Sequence, residues 1–287
     1  MRAAGGVPFE CCADSVEGAL AAEAAGAARV ELCDALTDGG VTPSAGKVAA
    51  CAARLRVPLH VLVRPRPGDF CYSPLELEVM RADVAHCKAA GAAGVVLGLL
   101  TPDGAVDAER TAELVALARP MRVTFHKAID AARDQLAALR VCIALGVDLV
   151  LTSGGARSVD EGAETLAAMV RLVDSQRCAT RIVAGGGVTA GNARGLVERT
   201  GVHEVHGSGR EWVDGAMVYR REPPVYMGGE KLNTPAVEYG TRRATVASVG
   251  AIVAQLALAR RAPAGGADVD RRESAPGPLE APSRLGQ

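Results

Sequence analysis

Aromatic side chains make up only 3% of this 287-residue chain, so a core built on packed rings is excluded. The 49% of hydrophobic residues must do that work, chiefly Ala, Val and Leu, a composition typical of helices laid on a parallel sheet. Eight cysteines are present (Cys11, Cys12, Cys33, Cys51, Cys71, Cys87, Cys142 and Cys178), but none lies in a C-x-x-C pair, which excludes a zinc knuckle or a thioredoxin-type motif. No disulfide framework is expected, and most of these thiols should be reduced and buried. Neither sign of charge is in excess: the net charge of −1 gives no footing for a polyanion such as nucleic acid. No apolar run is long enough to span a membrane, and no basic-then-apolar segment opens the chain. The expectation is a soluble, cytoplasmic protein with neither nucleic acid nor membrane as partner.

What is abundant is the strand that ends in glycine. Arg181-Ile-Val-Ala-Gly-Gly-Gly187 is a β-branched run closed by three glycines, followed by a helical pattern opened at Thr189-Ala-Gly-Asn192. Leu149-Val-Leu-Thr-Ser-Gly-Gly155 has the same form upstream, and His203-Glu-Val-His-Gly-Ser-Gly-Arg210 has it downstream. Three such units in succession match the last strands of a (β/α)8 barrel, whose loops often hold phosphate.

The preceding strands fall into place at about 9–12, 29–33, 59–63, 94–100 and 121–126, with the glycine-ended ones at 148–153, 181–185 and 203–208. Asp14-Ser15, Thr42-Pro43-Ser44 and Ser73-Pro74 supply helix starts between them. Eight strand–helix alternations predict an α/β fold of the (β/α)8 TIM-barrel type, one domain over residues 1–260; an open doubly wound sheet is the alternative. Residues 213–236 read as a long loop, 237–260 as the eighth helix, and 261–287 as a disordered tail.

Residues two apart on a strand share a face. Glu10 with Cys12, Arg29 with Glu31 and Cys33, His60 with Leu62 and Arg64, Thr124 with His126, and Glu204 with His206 and Ser208 each form such a set. The alternate faces are apolar and must pack on helices, so the polar set faces into the barrel. Glu10, Glu31 and His126 are the acid–base candidates should the protein be an enzyme. His60, Arg64, Arg66, His206, Ser208, Arg210 and the glycine turns at Ser153-Gly154-Gly155 and Gly185-Gly186-Gly187 are candidates for binding a small anion. Structural ion pairs and tight packing turns are the plainer readings of the same residues. Cys12 and Cys33 end adjacent strands, which lie ~4.8 Å apart; they could hold a soft ion such as Cu(I), or be two inert buried thiols.

Taken together, Phe9-Glu-Cys-Cys-Ala-Asp-Ser15, Arg29-Val-Glu-Leu-Cys33, the Gly-Gly-Val-Thr-Pro-Ser run ending at Ser44, His60-Val-Leu-Val-Arg-Pro-Arg66, Gly68-Asp-Phe-Cys-Tyr72, Thr124-Phe-His126, Leu151-Thr-Ser-Gly-Gly155 and Glu204-Val-His-Gly-Ser208 resemble the CutC family of copper homeostasis proteins. The resemblance runs from about Pro8 to Arg210. It implies a (β/α)8 barrel assembled as a homodimer or homotetramer, a cytoplasmic location, copper as the bound metal and Cys12 and Cys33 as its thiol ligands. The inward set of Glu10, Glu31, His60, Arg64, His126 and His206 falls on matching family positions. Cys11 departs from the aliphatic residue usual there, and Lys127 from an arginine, which keeps the charge but loses the two-pronged fork. Two functions follow as expectations: a cytosolic Cu(I)-binding copper homeostasis protein, or an isomerase- or lyase-type enzyme acting on a small phosphorylated or carboxylated metabolite at the barrel mouth.

Overall fold

The computed structural model describes residues 6–223, 225 and 239–261. Eight parallel strands close on themselves in chain order, with the last paired to the first. They are β1 (Phe9–Ala13), β2 (Arg29–Leu32), β3 (Leu59–Leu62), β4 (Gly94–Leu97), β5 (Arg122–Phe125), β6 (Leu149–Thr152), β7 (Arg181–Gly185) and β8 (Glu204–Gly207). Helices cover them: α1 (Val16–Ala24), α2 (Ala45–Ala52), α3 (Pro74–Ala89), α4 (Ala108–Ala118), α5 (Gln135–Ala144), α6 (Ala163–Gln176), α7 (Ala193–Thr200) and α8 (Val246–Leu258). The (β/α)8 barrel expected from the alternation is the fold observed.

Local chemistry sets the helix starts. Ser15 and Ser44 cap α1 and α2 by accepting from the amides of Gly18 and Lys47, and Asp107 and Asp134 do the same for α4 and α5. Ser73 and Glu76 form a reciprocal capping box with Pro74 in the first turn of α3.

Strand alternation then separates two cores. Outward residues such as Val30, Leu32, Val61, Val95, Phe125, Ile182 and Val205 join the helices in one large apolar layer. Among the described residues, two small apolar groups face into the barrel, Cys12–Cys33–Leu62–Val96 and Leu149–Leu151–Val183. The rest of the interior is polar, and the register fixes its levels. Glu10 lies beside Arg29 on β2 and His206 on β8, Cys12 lies beside Glu31, and Glu31 lies beside His60.

Two stretches differ from the expectation. The strand expected over 94–100 ends at Leu97, and at Gly98 the His126 ring packs so closely that a Cβ there would approach it to 2.5 Å. Beyond β8 the chain does not loosen into a loop as early as 213. Instead β9 (Arg210–Asp214) pairs antiparallel with β10 (Gly240–Ala244), and α8 begins only at Val246, capped by Thr245 and Ser248. Residues 226–238, within the expected loop and helix, and 262–287 of the expected tail lie outside the described residues. No helix among the described residues is long and apolar enough to cross a membrane.

Candidate active site and metal centre

The strand C-termini open into a cavity of about 510 Å³ at one end of the barrel. Its wall is drawn from seven of the eight strand ends and the loops after them, all but β4. Of the residues singled out in the sequence, Cys12, Cys33, Glu31, Arg64, His126, Gly186, Gly187, His206 and Ser208 line it.

The others are placed elsewhere. Glu10, His60 and Gly185 lie outside the cavity wall. Glu10 is 1% exposed and ion-paired with Arg29, which also reaches Glu204 at 2.6 Å. Burial alone would raise the Glu10 carboxyl, but Arg29 and the His206 hydrogen bond outweigh it and hold the group well below the usual range, which removes it as an acid–base candidate. His60, fully buried, fits only because residue 94 is glycine, where a Cβ would come within 2.5 Å of its ring. Burial pushes its pKa down to about 3, so the ring is neutral.

Arg66 spends its donors on Glu76, Asp69 and the carbonyls of Pro67, Asp69 and Cys71, bracing the loop before α3 rather than facing the mouth. Arg210 sits on β9 and reaches Asp14 at 3.5 Å. The turn after β6 is no anion seat either: Ser153 N and Gly155 N donate to the Asp130 carboxylate, and Gly154 N donates to the Thr152 hydroxyl. An internal carboxylate already occupies the place assigned to an external one.

At the cavity floor the Cys12 and Cys33 sulfurs stand 3.5 Å apart, and Cys12 Sγ is 3.5 Å from Glu31 Oε1. Cys12, Glu31 and His206 offer ligand atoms all within 4.8 Å of one another. The hydrogen bond with Cys33, burial and the Glu31 charge together raise the Cys12 thiol well above its ordinary value. Burial raises Glu31 to about 7, with His206 pulling down and Glu10 pushing up. Burial would lower His206, but Glu31 and the 2.8 Å hydrogen bond to Glu10 raise it instead. His206 thus stands between the two carboxylates, hydrogen-bonded to Glu10 and 4.0 Å from Glu31, whose other oxygen lies against Cys12.

His126 faces the cavity with its tautomer fixed. Nδ1 accepts from the Ala128 amide at 3.1 Å, so Nε2 carries the hydrogen and is a donor. Burial and then the nearby Arg64 charge lower its pKa to about 3, which suits it to donating a hydrogen bond rather than to acting as a base. Arg64 gives Nη1 to the carbonyls of Asp38 and Gly40, and Nη2 to that of Gly68, with its guanidinium carbon 5.3 Å from the Phe70 ring centroid. It clamps two mouth loops.

Sequence reading passed over Lys127 and Asp130 as site residues. Lys127 lines the cavity, with Nζ held by Ser153 Oγ at 2.8 Å and Asp130 Oδ2 at 3.3 Å. Its position immediately after His126 at the end of β5 was the available signal. The strand glycines at 94 and 98 were a second signal, since glycine inside a strand marks a close approach.

The model of the CutC family matches residues 7–211. A CutC family protein of Chromobacterium violaceum is 46% identical over 240 residues, 84% of this chain and 94% of the relative. The human protein named copper homeostasis protein cutC homolog is 43% identical over 218 residues, 76% of this chain and 79% of its own length. Among solved structures, one from Streptococcus agalactiae that carries the CutC copper homeostasis name matches at a TM-score of 0.66 and 31% identity, covering 70% of this chain and 98% of the other. A structure from Coccidioides immitis named for deoxyribose-phosphate aldolase, 17% identical at a TM-score of 0.53 over 71% of this chain and 81% of its own, shares the fold alone.

Proposed function

The chain belongs to the CutC family, and from that premise we propose that it handles copper by binding Cu(I) through Cys12 and Cys33. The observation that carries this reading is the pair of thiols, 3.5 Å apart at the floor of an open cavity. Thiolates are the donors Cu(I) prefers, and the buried, mostly apolar surroundings of the pair protect a bound ion from water. Glu31 and His206 stand within reach as further donors. A reducing cytosol would keep Cys12 and Cys33 as thiols, and all eight cysteines are free here.

Loading must release protons. A buried thiol whose pKa is raised loses its proton when the metal takes its place on sulfur and a base or solvent accepts it, and Cys12 Sγ already lies against Glu31 Oε1. The apparent affinity for Cu(I) should therefore rise with pH. Anaerobic titration against a chromogenic Cu(I) chelator tests both points. One ion per chain is expected. Because losing outer partners of a metal site already costs about 10–100-fold in affinity, Cys12→Ser and Cys33→Ser should each cost about 100-fold or more. Unchanged copper binding in the doubly substituted chain would overturn the reading.

A further inference from the structure

We propose that the mouth cavity also binds a small organic phosphate monoester, with its phosphate on Lys127 and the turn after β7. The proposal stands apart from the copper reading, since it uses neither thiol.

Three observations lead to it. The first is the turn itself. Gly186 and Gly187, at φ +117° and +76°, line the cavity with Val188, and among the described residues the amides of all three have no acceptor. Lys127 Nζ stands beside the first of these glycines: a Cβ at Gly186 would lie 2.9 Å from it. Ser153 and Asp130 fix that ammonium from behind, which leaves its remaining hydrogen for a ligand. An ammonium beside a turn with unpaired backbone amides is phosphate chemistry, and the loops after strands 7 and 8 are where barrels of this kind hold it.

The second observation is a pair of buried donors without acceptors elsewhere on the same wall. Arg64 Nε and His126 Nε2 have no hydrogen-bond partner, and both residues are 6% exposed. A buried donor left unmade is costly, so an acceptor oxygen on the ligand would relieve each. The third is charge. Arg64 is held by backbone carbonyls beside the Tyr72 hydroxyl and pairs with no carboxylate among the described residues, so it brings an unpaired positive charge to the wall.

A free phosphate would fill a small part of about 510 Å³ and could not reach both ends. The fitting ligand has a phosphate at one end and acceptor oxygens on its carbon skeleton, with Leu62, Phe70 and Leu151 beside the carbons.

The test follows backbone amide resonances of the full chain during titration with phosphoglycolate and ribose 5-phosphate. Glycolate, ribose and inorganic phosphate serve as controls. Both esters should shift the Gly186 and Gly187 signals, and at least one should bind about tenfold or more tightly than any control. Lys127→Met should weaken that ester about tenfold or more, with its thermal transition kept, while Cys12→Ser/Cys33→Ser should leave it bound. Unmoved Gly186 and Gly187 signals at about 10 mM ester would overturn the proposal even if Lys127→Met failed to fold. Inorganic phosphate binding as tightly as the esters would overturn the organic part of it.

Discussion

Burial lifts the Glu31 carboxyl to about 7, and burial also drives the His60 and His126 rings down to about 3. These shifts act on stability with opposite signs. Between its ordinary value and about 7, Glu31 holds a proton in the folded chain that the unfolded chain has released, so its contribution falls as pH rises through that window. Between about 3 and their ordinary value, His60 and His126 exclude protons that the unfolded chain binds, so their contribution grows as pH rises. Glu31→Gln removes the first effect, together with the upward push that Glu31 gives His206, and leaves the second. Its stability relative to the natural chain should improve from about pH 5 to about pH 7, by on the order of 3 kcal/mol at most, in urea unfolding at each pH. A constant difference across that range would mean that Glu31 ionises as an ordinary carboxyl. Period-two alternation was enough to put Glu10, Glu31, His60 and His126 on the inner face, because a strand has only two faces. Depth was not legible: whether an inward residue reaches the mouth, as Glu31 does, or stays below it, as His60 does, depends on strand stagger that no single strand encodes.

Asp130 shows how one side chain organises a whole connection. Its carboxylate accepts from the Thr152 and Ser153 hydroxyls and from the amides of Ser153 and Gly155, and it faces Lys127 at 3.3 Å. The turn after β6 is thereby stapled to the turn after β5. Asp130→Ala would strand several buried donors at once and should cost about 2–4 kcal/mol in chemical denaturation. A loss below about 0.5 kcal/mol would show that the turn keeps its shape without the staple. Residues 153–155 looked like an anion seat in the sequence because Ser-Gly-Gly is the right composition; that the anion is Asp130 was invisible, since the two segments meet only in three dimensions. The β9–β10 ribbon was hidden for a related reason. Gly240-Thr-Arg-Arg-Ala244 has no apolar alternation, and Trp212 on the facing strand covers Gly240 so closely that a Cβ there would come within 2.3 Å of its ring. Helix starts, by contrast, were legible because a cap such as Ser73 with Glu76 is complete within a few residues.

At the scale of the whole molecule, closure of the barrel depends on a helix far from the strands it covers. The family model matches residues 7–211, which include all eight barrel strands, yet the seam between β8 and β1 is covered by α8 at Val246–Leu258. Val249, Ile252 and Leu256 of that helix are at most 4% exposed, packed among α7, α1 and β1. The ribbon of β9 and β10 carries the chain across to it. A chain ended at Asp214 would keep every barrel strand but bare this seam, an apolar strip with no cover from the remaining helices. It should therefore lose the cooperative thermal transition of the full chain and bind a hydrophobic dye. Leu256→Ala, which leaves the helix in place, should lower stability by about 2–5 kcal/mol. If the shortened chain melted cooperatively at the temperature of the full one, the eighth helix would be an accessory to the barrel and not part of its closure.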